Sequence, residues 1–404
     1  MRALRRFLPV ALALSLMGCG AGFPLPTENR VAVPLPGDGS YQMKQTWKGL
    51  SGIRDVLLTQ GKGSQLFLLF NTDDTGDNNP NADTTLSRGE VAAYFKTRNE
   101  RVPGYSFRGD RPGGGLFNPT ALCAGGDGAG GTYNRIFVLD RGDTAVARDK
   151  PRYPPFDTLR SSLWNRRVAR PQHYWRVHEY RLLGGDTLST FTDTTLAWVN
   201  GIAADADGNV YVSGVAIVYL PNQVDFRLKN RVFQYRVFKY ARGSSPPDGN
   251  MPGSNWHRDK SFVSEEGSGV GYVTDPRGIF WTPLDGGALF TSDFGKGWVQ
   301  KLYDRLASTG YFKVDVDSLN EPLVGPIDVA ADLAGYFYFV DSGNNRVLRF
   351  QDTGGGAREV QRVDVEPNED RLPLLAPVAI GADDSLAYVA DRGRAQVLYL
   401  QRRK

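Results

Sequence analysis

One unit of sequence recurs along most of this chain, and a chain written in repeats folds as stacked copies of one small supersecondary piece. The clearest copy begins Pro326-Ile327-Asp328-Val329-Ala330 and continues Gly335-Tyr336-Phe337-Tyr338-Phe339-Val340-Asp341. It closes with Gly343-Asn344-Asn345-Arg346-Val347-Leu348-Arg349-Phe350. β-Branched and aromatic runs punctuated by Gly, Asp and Asn predict strand, turn, strand, turn, strand. The pattern returns at 376–401, 275–303 and 199–214; it is degenerate at 118–143 and weakest at 52–74. That makes six units.

Taken together, the units read P-x-G-I-A followed by D-G-N-V-Y-V-A-D-S-G-N-N-R-V, which resembles the NHL repeat, a β-propeller blade of four antiparallel strands. The resemblance spans nearly all of residues 41–404 and implies an all-β, six-bladed, NHL-like propeller. Packing agrees, since one such sheet cannot bury both faces alone and radial stacking buries them all. Each blade needs an outer fourth strand; Tyr311–Val314 and Val360–Val363 supply it for units four and five. Unit six ends at the last residues of the sequence with nothing left to supply it. The alternating segment Tyr41–Trp47 is therefore expected to complete the last blade and fasten the ring.

The first residues suggest an address. Arg2, Arg5 and Arg6 precede a short apolar run from Leu8 to Met17, the pattern of a signal peptide over 1–18. Leu16-Met17-Gly18-Cys19 resembles the lipobox of bacterial lipoproteins, which implies lipid on Cys19. Residues 19–40, rich in Pro and Gly, read as a tether. The expectation is a lipid-anchored protein of the bacterial cell envelope, at the outer membrane because Gly20 follows the cysteine. Lys and Arg number 48 against 44 Asp and Glu, a net +4, and three of those arginines lie in the leader. The rest is nearly neutral, and no apolar run approaches the ~20 residues of a spanning helix. A polytopic membrane protein is excluded, and 47 glycines with 24 prolines argue against a helical bundle.

In a propeller, the residue opening each innermost strand faces the mouth of the central channel. Repeat alignment puts Arg54, Thr120, Asn200, Arg277, Ile327 and Val378 there, with Asp55 and Asp328 one residue deeper. Asn200-Gly201-Ile202 is similar to a ligand motif of the calcium lactonase and gluconolactonase group. Calcium requires six or more hard oxygens, and here two arginines and two aliphatics occupy mouth positions. Asn200, Asp55 and Asp328 are the candidate ligands of a weak central site. A zinc lyase would need histidines, and only His173, His178 and His257 occur; His173 and His178, five apart, are expected as partly exposed non-ligands. The recurring Asp140, Asp293, Asp341 and Asp391 are expected to cap the turns that follow them, with Arg346 paired to Asp341. Cys123, in an apolar run, reads as a buried structural thiol.

Three stretches exceed the repeat: Asn71–Arg88, Arg141–His173 and Gly243–Thr274. Insertions collected on the mouth face are where a propeller usually carries its partner site. Residues 141–176 hold nine bases and three acids, Arg152, Arg166, Arg167 and Arg170 among them. Trp164, Tyr174 and Trp175 are interleaved as candidate anchors. Guanidinium with aromatic rings suits anionic or carbohydrate surfaces. The first insertion carries Asp73, Asp77 and Asp83, oxygen-rich like a calcium loop but without its glycine and closing glutamate. No catalytic residue is assigned. The expected function is an envelope binding or assembly module for a protein or an anionic glycan or lipid, with no cofactor and no nucleic acid. The alternative is a calcium-dependent lactonase or hydrolase built on Asn200, Asp55 and Asp328.

Overall fold

The computed structural model describes residues 41–403 except 61–63, 72–88, 109–115, 117, 128–132, 142–174, 183–184, 194, 220–230, 244–254, 285–286, 304–311, 354–355 and 364–373. Six four-stranded antiparallel sheets make up the chain, one per repeat. The innermost strands are Ile53–Leu58, Pro119–Gly125, Leu196–Ala204, Pro276–Thr282, Pro326–Ala331 and Pro377–Ala382 in blades one to six. All six line one central cavity. The all-β, six-bladed propeller expected from the sequence is what forms.

The core lies between blades, as the stacking argument requires. Second strands such as Leu66–Asn71 (LFLLFN) and Leu386–Asp391 are buried along their whole length, because a neighbouring blade covers each face. Phe290 of blade four stacks on Phe337 of blade five with ring centroids 4.9 Å apart.

The expected closure is also present. Strand Tyr41–Lys48 pairs antiparallel with the last strand, Gln396–Arg402, as the outer strand of blade six. Trp47 is buried against Tyr388, Tyr399 and, on blade one, Tyr94. Tyr41 pairs with Arg402 and Lys48 with Gln396, so the chain joins the ring at the face opposite the channel mouth.

Each innermost strand carries a register shift at its mouth residue: between Ile53 and Asp55, Pro119 and Ala121, Val199 and Gly201, Pro276 and Ile279, Pro326 and Asp328, and Pro377 and Ala379. A bulge there breaks the alternation and re-aims the skipped side chain into the opening. The freed amides find side-chain partners: Gly201 N donates to Ser213 Oγ at 2.9 Å and Gly278 N to Ser292 Oγ at 2.8 Å.

Two expectations need correction. The recurring aspartates chiefly hold the segment leading into the inner strand, not the turn after them. Asp140 accepts Asn118 N, Asp293 accepts Thr274 N and Asp275 N, Asp341 accepts Val324 N, and Asp391 accepts Leu375 N and Ala376 N. The Arg346–Asp341 pair does form, at 2.8 Å, and Arg346 also reaches Asp317 at 2.7 Å. The third insertion, Gly243–Thr274, does not start at the mouth. The third strand of blade three (Arg231–Arg242) ends, and its fourth (Trp256–Ser264) begins, on the face away from the mouth.

Candidate anion-binding site

All six mouth positions and both aspartates beneath them line a cavity of about 110 Å³ on the ring axis. Its centre of organisation is Asn200. The carboxamide oxygen accepts Trp198 Nε1 at 3.0 Å and Arg141 Nη2 at 3.3 Å. The Nδ2 group donates to Pro276 O at 3.1 Å and Asp275 Oδ1 at 3.3 Å. A primary amide offers two acceptor and two donor positions, and here the protein fills all four. Asn200 as it stands offers calcium no lone pair. Its role is to hold Arg141.

Arg141 directly follows Asp140, at the mouth end of the second strand of blade two. Its Nε donates to Val199 O at 2.8 Å, and its guanidinium lies 4.6 Å from the centre of the Trp198 ring. Burial, then the neighbouring charges of Arg54 and Arg277, bring it down to about 10, so it remains a cation at neutral pH. Arg277 directs Nε and Nη2 at Asp275 Oδ2, at 3.2 and 3.0 Å, and stacks 3.6 Å from the Phe294 ring centre. Arg54 and Arg277 thus line the opening, and the Arg141 guanidinium lies close enough to feel both charges, with Asp275 as the carboxylate paired to Arg277. Thr120 adds a hydroxyl to the rim. A cluster of like charge of this kind suits an anion, since a bound carboxylate or phosphate relieves the repulsion and accepts from the guanidinium forks.

Below the rim, the two aspartates face exposed edges of inner strands. Asp55 Oδ1 accepts Val56 N and Oδ2 accepts Leu122 N of the next blade, both at 2.7 Å. Asp328 Oδ2 accepts Ile380 N of blade six at 2.7 Å. Burial, then the charge of Asp328, pushes Asp55 well above the usual carboxylate range; burial pushes Asp328 up to about 7. At the far end, Gln60 Nε2 donates to Ala331 O and Ala382 O, at 2.9 and 3.0 Å, and narrows the channel. Among the described residues no cluster of three His, Cys, Asp or Glu side chains forms a metal site.

Other candidates fall elsewhere. Arg152, Trp164, Arg166, Arg167, Arg170, Tyr174 and His173 lie outside the described residues, as do Asp73, Asp77 and Asp83, and Cys19 with the leader and tether. Trp175 is corrected from surface anchor to core: it is 5% exposed, and Nε1 donates to Asp193 O and Leu196 O. His178 is corrected too. It is 1% exposed, with Nε2 3.6 Å from Asp140 Oδ2 and Nδ1 3.3 Å from Thr190 Oγ1. Cys123 is buried, and burial pushes its thiol up, which leaves it inert. Sequence reasoning missed Arg141, Trp198 and Asp275 as site residues. Alternation could not find them, because the register shift at each mouth residue breaks the period of two there and Asp275 precedes its strand.

Neither a protein family nor a curated protein matches the sequence. Solved structures with a similar course of chain include a catalytically inactive virginiamycin B lyase from Staphylococcus aureus with quinupristin, at 10% identity and TM-score 0.46, covering 90% of this chain and 99% of that one. A PQQ-bound aldose sugar dehydrogenase from Streptomyces coelicolor gives 12% and 0.45, covering 91% and 99%. The Pseudomonas aeruginosa periplasmic gluconolactonase gives 14% and 0.43, covering 85% and 76%. Similarity at this level transfers no residue and no activity to this chain.

Proposed function

We propose that this chain is an envelope-anchored propeller that binds an anionic group of its partner at the channel mouth. Arg54, Arg141 and Arg277 supply the charge, Asn200 and Trp198 fix Arg141, and Asp275 and Phe294 fix Arg277. The observation carrying this reading is the mutual approach of three guanidinium groups, two of them lining an opening whose asparagine is already saturated by protein. The lipobox-like Leu16–Cys19 supports attachment through lipid on Cys19, and the basic, aromatic segment after Arg141 starts at the same rim. The metal-dependent hydrolase reading has less to stand on, because its best ligand is spent on Trp198 and Arg141.

Trp198 provides the assay. Citrate, inorganic phosphate or a galacturonate oligomer should change its fluorescence saturably, more weakly as salt rises, and not in Trp198→Phe. Affinity should drop roughly 10-fold in Arg277→Ala, the loss of about one charged hydrogen-bonding pair. No saturable change with any of the three, or undiminished affinity in Arg277→Ala, overturns the anion site. A stoichiometric calcium ion in the purified protein, lost in Asn200→Ala, would favour the hydrolase instead.

A further inference from the structure

The cavity is polar at two levels with opposite signs. Arginines ring its mouth, and one residue further along the inner strands, a rise of about 3.3 Å, Asp55 and Asp328 line the same space. We infer that the channel takes a small amphoteric ligand, its carboxylate held by the arginines at the mouth and its ammonium group inserted between Asp55 and Asp328. This rests on the anion site proposed above and adds the second half of the ligand.

Four observations carry the ammonium end. Both carboxylates are held in place by backbone amides of their own and neighbouring inner strands. An ionised carboxylate has about four acceptor positions, so each keeps capacity on the cavity side. Among the described residues no lysine, arginine or histidine forms an ion pair with either aspartate. Two buried acids therefore face one cavity without an ion-pair partner; burial holds them toward their protonated forms, and a cation entering between them would favour the ionised ones. Calcium suits the place poorly, because it wants six or more oxygens and the carboxylates already accept amides. An ammonium group has three donors and matches two carboxylates with capacity to spare. The far end is narrowed by Gln60 across Ala331 O and Ala382 O, so the ligand comes in through the mouth and its polarity is fixed: cation inward, anion outward. A cavity of about 110 Å³ holds a molecule of amino-acid size and no polymer.

The test compares matched probes by calorimetry on the whole protein at pH 8, above the value of about 7 for Asp328, where the amines remain charged. Glycine, 4-aminobutanoate and 6-aminohexanoate span the charge separations; each is paired with its amine-free acid, and 4-hydroxybutanoate controls for hydrogen bonding without charge. One amino acid of the ladder should bind at least 10-fold more tightly than its amine-free partner, while the hydroxy acid binds like the amine-free one. Asp55→Asn with Asp328→Asn should erase that advantage and leave the amine-free acid unchanged; Arg277→Ala should weaken both. Should that double variant fail to fold, the wild-type comparison with the hydroxy acid still decides. Equal binding with and without the amine, or an advantage surviving the double variant, overturns the inference and leaves the anion site standing. No binding by any carboxylate removes both.

Discussion

The backbone of Tyr41 and the side chain of Gln361 exchange two hydrogen bonds, Tyr41 N to Gln361 Oε1 at 2.8 Å and Gln361 Nε2 to Tyr41 O at 2.9 Å, across 320 positions of sequence. Tyr41 OH meanwhile donates to Asp383 O on blade six, and Tyr338 OH of blade five donates to Tyr41 OH. The first strand is thus tied to blade five as well as to its own blade.

Gln361→Ala should therefore strand a buried amide and a buried carbonyl, a cost of about 1–3 kcal/mol each. Deleting residues 41–48 should go further and destroy the single cooperative melt. Calorimetric scans of both variants check this; an unchanged midpoint in the deletion would show that the ring does not depend on its closing strand.

Asp328 makes stability fall with pH. Folded, it titrates near 7, against an ordinary value of 3.8. Between those values the folded protein holds a proton that the unfolded chain has released, so stability declines as pH climbs through that window and levels off above it. Asp328→Asn removes the charge. Its melting midpoint should gain on wild type from pH 5 to pH 8, by a few degrees at the upper end. A constant difference across that range would contradict the raised titration.

Arg346 is a buried tie with two buried acids. Its bonds to Asp341 and Asp317 lie inside the protein, and a third, to Glu321 at 2.9 Å, sits at the surface. Removing one partner of a buried ion pair leaves uncompensated charge, so Arg346→Ala should cost about 3–5 kcal/mol. Glu321→Ala should cost under about 1 kcal/mol, the range of exposed pairs. Urea titrations of the two variants distinguish these, and equal losses would refute the assignment.

Trp175→Ala should cost about 3–5 kcal/mol, as expected for emptying a core tryptophan site. A surface anchor would cost almost nothing in stability and would act only on binding. Denaturant midpoints decide.

The fold was legible because the unit is repeated: one good copy at 326–350 taught the register of poorer ones, and even the missing strand of the last blade could be counted. The mouth residues were legible for the same reason. Trp175 was misread because Arg176 beside it looked like part of a basic loop, whereas Trp175, just ahead of the strand, packs with Val177 into one core cluster. His178 could not be placed from sequence, since its burial depends on Asp140 across the sheet and Thr190 on the next strand. The state of Asn200 was hidden for a similar reason. Its motif is local, but the groups that saturate it come from blades two and four as well as from its own strand.

The chain joins the ring at Tyr41, on the side of the disc away from the arginines. Under the envelope-anchored reading, an attachment made through Tyr41 would reach the disc at the face that carries none of the mouth arginines, so holding the protein in place would not obstruct a ligand's way in.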